Sequence, residues 1–144
     1  MRKSFVCMIV LFAFRAYADE KSEGGDVGKD RDILSVIEEN LKAAEKEDFD
    51  AWLKTYHEQA RSCEARGAEM RECFRIYDMR YELGQVRVLD RSDEEARVWF
   101  LQINRRVSGP EMADKEVAGI HLMKKSYGKW KIYDTEIQKI REMR

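Results

Sequence analysis

The 144-residue chain is poor in the residues that carry recognisable chemistry. It has two histidines, three cysteines and one proline. The histidines and cysteines show none of the closely spaced ligand pairs typical of zinc sites, so no metal centre is expected. There is no glycine-rich phosphate loop and no Gly-x-Ser-x-Gly nucleophile motif, and no cofactor is expected. No apolar run reaches the ~20 residues that a membrane-spanning helix usually needs. Neither sign of charge dominates, with 27 basic and 28 acidic residues. Such a chain has no electrostatic footprint for nucleic acid or an anionic membrane surface. It contains no internal repeat.

What is present begins at the N-terminus with "MRKSFVCMIVLFAFRAYADE". Arg2 and Lys3 precede a short apolar core, and Ala16, Tyr17 and Ala18 form a small-x-small cleavage pattern. This predicts a signal peptide over 1–18, cleaved after Ala18, and a secreted or periplasmic protein that leaves the membrane after cleavage. Arg15 directly after the core is unusual, and an uncleaved anchor is the alternative. Cys7 would be lost with the peptide. Cleavage would remove Arg2, Lys3 and Arg15 and leave 126 residues with 24 basic against 28 acidic side chains. That length is one domain with one hydrophobic core. Residues 19–30 are glycine-rich and almost free of apolar residues, which predicts a flexible leader. The single domain is expected over 31–140, with a basic tail at 141–144.

Ile33, Val36, Ile37, Leu41 and Ala44 recur at helical spacing behind Asp30 or Asp32 as caps. Asp48 then caps a second helix whose apolar positions are Phe49, Trp52, Leu53, Tyr56 and Ala60. The stretch "CEARGAEMREC" follows. A continuous helix would hold Cys63 and Cys73 about 15 Å apart, too far for a disulfide. Gly67 offers a break. The expectation is a second helix ending near Arg66, a turn at Gly67, a third helix over 68–78, and a Cys63–Cys73 disulfide formed in an oxidising compartment. Two free buried thiols are the alternative.

Four strands are predicted next, at 81–90, 95–107, 115–125 and 130–140, joined by short turns and therefore an antiparallel meander. Pro110 sits in the break between the second and third. Both faces of these strands are partly apolar. Ala96, Val98 and Phe100 share one face; Trp99, Leu101 and Ile103 share the other. A sheet with one solvated face would alternate cleanly, so each side needs a cover. The helices can cover one side and a second copy of the sheet the other, which predicts a homodimer through the outer sheet face.

The order helix–helix–helix–meander, with "LKAAEKEDFDAWLKTYH", "EEARVWFLQI" and the glycine turn into "WKIYDTEI", resembles the nuclear transport factor two-like superfamily, which includes ketosteroid isomerases, scytalone dehydratase and SnoaL-like cyclases. The resemblance implies an α+β fold in which three N-terminal helices pack on a curved antiparallel sheet of about four strands, forming a cone with a cavity. It also implies pocket-lining candidates: Trp52, Tyr56, Tyr77, Phe100, His121 and Asp134. None of them sits in a family motif, so no catalytic role carries over. His57 is expected at the surface. The resulting expectation is a non-enzymatic binding domain for a small apolar ligand or a partner segment. A cofactor-free acid–base lyase or isomerase using Tyr56, Tyr77, His121 and Asp134 is the alternative. A third possibility is a cavity filled by Trp52, Phe100 and Trp130.

Overall fold

The computed structural model describes residues 30–60 and 63–143, the side chains of 63–65 excepted. The predicted signal segment and almost all of the leader lie outside the described residues. The elements run α1 (Arg31–Glu45), α2 (Phe49–Lys54), α3 (Cys63–Ile76), β1 (Asp78–Arg91), β2 (Glu95–Ser108), β3 (Lys115–Ser126) and β4 (Lys129–Glu142). The strands pair antiparallel in the order β1-β2-β3-β4, as their short turns require. Helices precede the sheet and pack on one face of it, and the sheet curves without closing. Among the described residues no helix is long and apolar enough to cross a membrane.

The apolar stripe of α1 sets the packing. Ile33, Ile37, Ala44 and the polar Asn40 follow one another at three- and four-residue spacing, and all four are buried. Ile33 and Ile37 join Ala96, Val98, Met123, Trp130 and Ile132 in one continuous core. The inward set on β2 is therefore Ala96, Val98, Phe100 and Gln102, and on β3 Val117, Gly119, His121 and Met123. The residues between them, including Trp99, Leu101, Ile103, Ile120 and Leu122, lie on the outer face and are only half-buried.

At that end of the sheet the two edge strands are tied through α1. Arg91, the last residue of β1, pairs with Asp30 at 2.8 Å and with Asp32 at 3.3 Å. The Trp130 indole N–H, at the start of β4, donates to the same Asp32 carboxylate at 3.0 Å.

Three expectations are corrected. The second helix is short. Asp48 caps it as predicted, accepting from the Ala51 amide at 3.1 Å. It stops at Lys54 because the backbone beyond it pairs with β4. Ile132 N–H donates to Thr55 C=O at 2.9 Å, and His57 N–H donates to Ile132 C=O at 2.8 Å. This bridge outweighs the helical periodicity that reached to Ala60. His57 is accordingly half-buried, its ring edge-on to Tyr133 with centroids 5.6 Å apart.

Gly67 does not break a helix either. It lies inside α3, where an added Cβ would sit 3.4 Å from the Phe49 ring. The glycine lets α3 approach α2 closely. With α3 unbroken, the ideal helical rise puts positions 63 and 73 about 15 Å apart. A Cys63–Cys73 bridge would thus need the first turns of α3 to open. Cys73 is buried, and the Cys63 side chain lies outside the described ones. Finally, β4 continues to Glu142 and Met143 N–H donates to Asp114 C=O at 2.8 Å, so the expected tail begins as strand.

Candidate functional site: a polar-floored cavity under the sheet

Beyond the apolar core, the same inward face opens into a cavity of about 80 Å³. That is several times what one water needs. The strands supply Phe100, Gln102 and Asn104 from β2, His121 from β3, Thr135 from β4 and Tyr81 from β1. The helical side supplies Asn40, Leu41 and Ala44 from α1, Trp52 and Tyr56 from and after α2, and Arg66, Glu69 and Met70 from α3.

The aromatic walls are ordered by mutual contact. Phe100 and His121 stack with centroids 4.2 Å apart and planes at 16°. Gly119 makes room for that stack: a Cβ there would come within 3.0 Å of Phe100 and 2.4 Å of the Glu136 carbonyl oxygen. Trp52 and Tyr56 meet with centroids 4.7 Å apart.

The polar groups are fixed by hydrogen bonds. His121 Nδ1 lies 2.7 Å from Thr135 Oγ1. The Thr135 carbonyl accepts from the Arg66 guanidinium at 2.8 Å. Asn40 donates to Thr55 Oγ1 at 2.8 Å, and that hydroxyl donates to Trp52 C=O at 2.7 Å. Gln102 donates to Asn104 at 2.9 Å. Burial strips water from the His121 imidazolium, and the nearby positive charge of Arg66 opposes it further. Its pKa is thereby pulled down to about 3, and the ring stays neutral at ordinary pH. Burial, with Glu45 and Glu47 nearby, pushes the Tyr81 hydroxyl up to about 12.

Four of the six predicted lining residues meet here: Trp52, Tyr56, Phe100 and His121. Trp130 packs in the apolar core, so Trp52 and Phe100 border the cavity without filling it. Tyr77 and Asp134 are elsewhere. Tyr77 follows α3 and is buried with Cys73 and Met79. Asp134 is turned away by a register shift. Met123 pairs with Ile132 but Leu122 pairs with Asp134, so Tyr133 is bulged out and the parity of β4 reverses. Thr135, not Asp134, then faces inward, while the Asp134 carboxylate accepts from the Thr135 amide at 2.9 Å.

Sequence reasoning missed Asn40, Gln102 and Asn104, although their signal was present. Asn40 is a polar residue inside the apolar stripe of α1. Gln102 and Asn104 continue the inward alternation of Ala96, Val98 and Phe100. Among the described residues no cluster of three or more His, Cys, Asp or Glu could hold a metal ion.

Residues 35–143 match the family described as "Anti-sigma-I factor RsgI9, C-terminal domain". The chain belongs to that family. A curated relative, anti-sigma-I factor RsgI9 of Acetivibrio thermocellus, is 26% identical over 104 residues, which is 72% of this chain and 15% of that protein. The chain thus spans a small part of the length of the relative it matches. Among solved structures, Aln2 from a Streptomyces species aligns with a TM-score of 0.66 at 12% identity, over 80% of this chain and 93% of that one. Bd1075 of Bdellovibrio bacteriovorus gives 0.64 at 15% identity, over 76% and 40%. A putative scytalone dehydratase from Novosphingobium aromaticivorans gives 0.61 at 13% identity, over 82% and 89%. At these identities the likeness is one of fold. Together these neighbours show that the domain has the nuclear transport factor two-like fold.

Proposed function

We propose that this domain is a non-catalytic receptor for a small molecule held in the cavity. The observation that carries the reading is the state of His121. The ring is buried, stacked on Phe100, bonded to a threonine and held neutral with a pKa of about 3. A general base works best with a pKa near the operating pH, and this one lies far below it. Tyr56 and His121 do share the cavity, as the acid–base alternative requires. The other two groups of that alternative, Tyr77 and Asp134, do not line it. Glu69, the carboxylate among the lining residues, is exposed on α3. The walls suit retention of a flat, mostly apolar molecule. Kinship with the C-terminal domain of an anti-sigma-I factor supports a regulatory setting, in which binding is the signal.

The reading extends to three further points. The chain is exported, with cleavage after Ala18. It dimerises through the outer face that carries Trp99, Leu101 and Ile120. A Cys63–Cys73 bridge staples α3 after its first turns open. Intact mass of the exported protein, with and without reductant, tests the first and third. Light scattering tests the second: Trp99→Ala should raise the dimer dissociation constant, and a wild-type monomer at high micromolar concentration would refute it. An ordinary interface would bury about 1,600 Å² in total.

The central test is native mass spectrometry of the full chain against a small-molecule library. A retained, unconverted adduct is expected in wild type and should be lost in Ala44→Leu, which places bulk on the cavity wall. Adducts indifferent to that substitution would place binding elsewhere, and turnover of the bound compound would overturn the non-catalytic reading.

A further inference from the structure

Arg66 differs from most arginines of this chain. Arg31, Arg75, Arg91, Arg97, Arg105 and Arg141 each sit on a carboxylate. Arg71 and Arg87 lie over the rings of Phe49 and Trp99. Arg66 is half-buried on the cavity wall. Its single polar contact among the described residues is the Thr135 carbonyl, at 2.8 Å. A guanidinium carries five N–H donors in a rigid planar fork, and that fork matches a carboxylate with two parallel bonds. One contact to a carbonyl fixes the orientation of the fork, and among the described residues no carboxylate compensates its charge. A partly desolvated, uncompensated charge is costly unless something pairs with it.

The surroundings narrow what that partner is. Glu69, three residues along α3 and on the same wall, is not within salt-bridge distance of Arg66, and among the described residues no carboxylate pairs with it. The positive field of Arg66 is felt at His121, where it adds to the effect of burial. The charge therefore acts on the cavity and not only on solvent. Phe100 and His121, stacked at 16°, present planar faces beside it. The amides of Asn40, Gln102 and Asn104 are neutral and can bond any polar edge.

We propose that the cavity takes a small planar molecule bearing a carboxylate, its ring against the Phe100–His121 and Trp52 walls and its carboxylate on the Arg66 guanidinium. The inference rests on the reading of the cavity as a ligand site and adds the charge of the ligand and the residue that reads it.

Calorimetric titration of the full chain with benzoate and benzamide tests it, because the two share a ring and a planar head and differ in charge. Wild type should bind benzoate at least about tenfold more tightly, the scale of a charge-assisted hydrogen bond. Arg66→Gln should abolish the preference for benzoate, lowering benzoate binding at least about tenfold and benzamide binding by less, since a neutral amide takes a weaker hydrogen bond from the same group. Arg66→Lys, which keeps the charge but not the fork, should fall between. Circular dichroism and the urea midpoint report that the fold is intact in the variants. Equal binding of the two probes by wild type, or a preference that survives Arg66→Gln, would overturn the role of Arg66 while the receptor reading stands. Failure of both probes to bind, together with the absence of any adduct sensitive to Ala44→Leu, would overturn both.

Discussion

Along the inward face of β2, two chemistries lie within a few residues of each other. Ala96 and Val98 are sealed in a dry core with Ile33, Ile37, Met123 and Ile132. Phe100, Gln102 and Asn104 border a cavity edged with amides. The backbone is one continuous strand, and only the side chains change. The first half gains from burial at about 25 cal/mol per Å² of apolar surface. The second half forgoes part of that gain and must satisfy each buried polar group. The contrast teaches that stability and recognition are divided along the strand: one end holds the fold so that the other can stay hollow.

The sharpest way to break this division is to cut each half in turn. Ile37→Ala in the dry core should cost about 2–5 kcal/mol, read as a fall in the urea midpoint. Leu41→Ala, one turn along α1 on the cavity wall, should cost less, because Leu41 is only half-buried and removes less apolar surface from water. Comparable losses at both sites would mean that the hollow half bears as much of the stability as the core.

Acid should separate the halves next. The His121 pKa is 6.5 when unperturbed and about 3 in the fold. Above pH 6.5 neither the folded nor the unfolded chain holds the proton, and His121 contributes no slope. Between 6.5 and 3 the unfolded chain takes up a proton that the fold refuses, so stability falls as pH falls, by about 1.4 kcal/mol per unit. The loss at pH 5 is about 2 kcal/mol by the same arithmetic. Denaturation curves from about pH 7.5 to 5 should show it, and His121→Gln should flatten it. An equal slope in that variant would assign the effect to other groups.

An effect of similar size is expected from Thr135→Val, which keeps the shape but removes the hydroxyl next to His121 Nδ1. A loss of about 1–3 kcal/mol is the usual cost of an orphaned buried group. No loss would mean that cavity water replaces the hydroxyl, and the floor would be wetter than its geometry implies.

How far the molecule could be read in advance depended on the kind of signal. The meander and its turns were legible because period-two patterning and glycine turns are local. Alternation grouped Phe100 with Ala96 and Val98, and His121 with Gly119 and Met123, but which face turns inward was decided by the packing of α1. Alternation fails where a strand bulges: the extra residue at Tyr133 moved Thr135 inward and Asp134 outward, and nothing in "WKIYDTEI" announces it. Helix ends failed for a related reason. The periodicity after Asp48 continues to Ala60, but pairing of Thr55 and His57 with the distant Ile132 decides where α2 stops. Gly67 read locally as a helix stop, and its purpose is contact with Phe49 in another helix. That Arg66 meets no carboxylate among the described residues could be seen only in the folded arrangement.

The ties among Arg91, Asp30, Asp32 and Trp130 carry a mechanical consequence. Arg91 ends one edge strand, Trp130 opens the other, and both are fastened to the first turn of α1. The open sheet is thereby cinched at one end like a drawstring. A pulling force applied to the backbone at residue 30 would not peel α1 away from a single neighbour. It would be divided between β1 and β4 and would load both margins of the sheet together. Force-spectroscopy traces of a chain held at that point should therefore show one cooperative rupture, and Asp32→Ala should lower its force and split it in two.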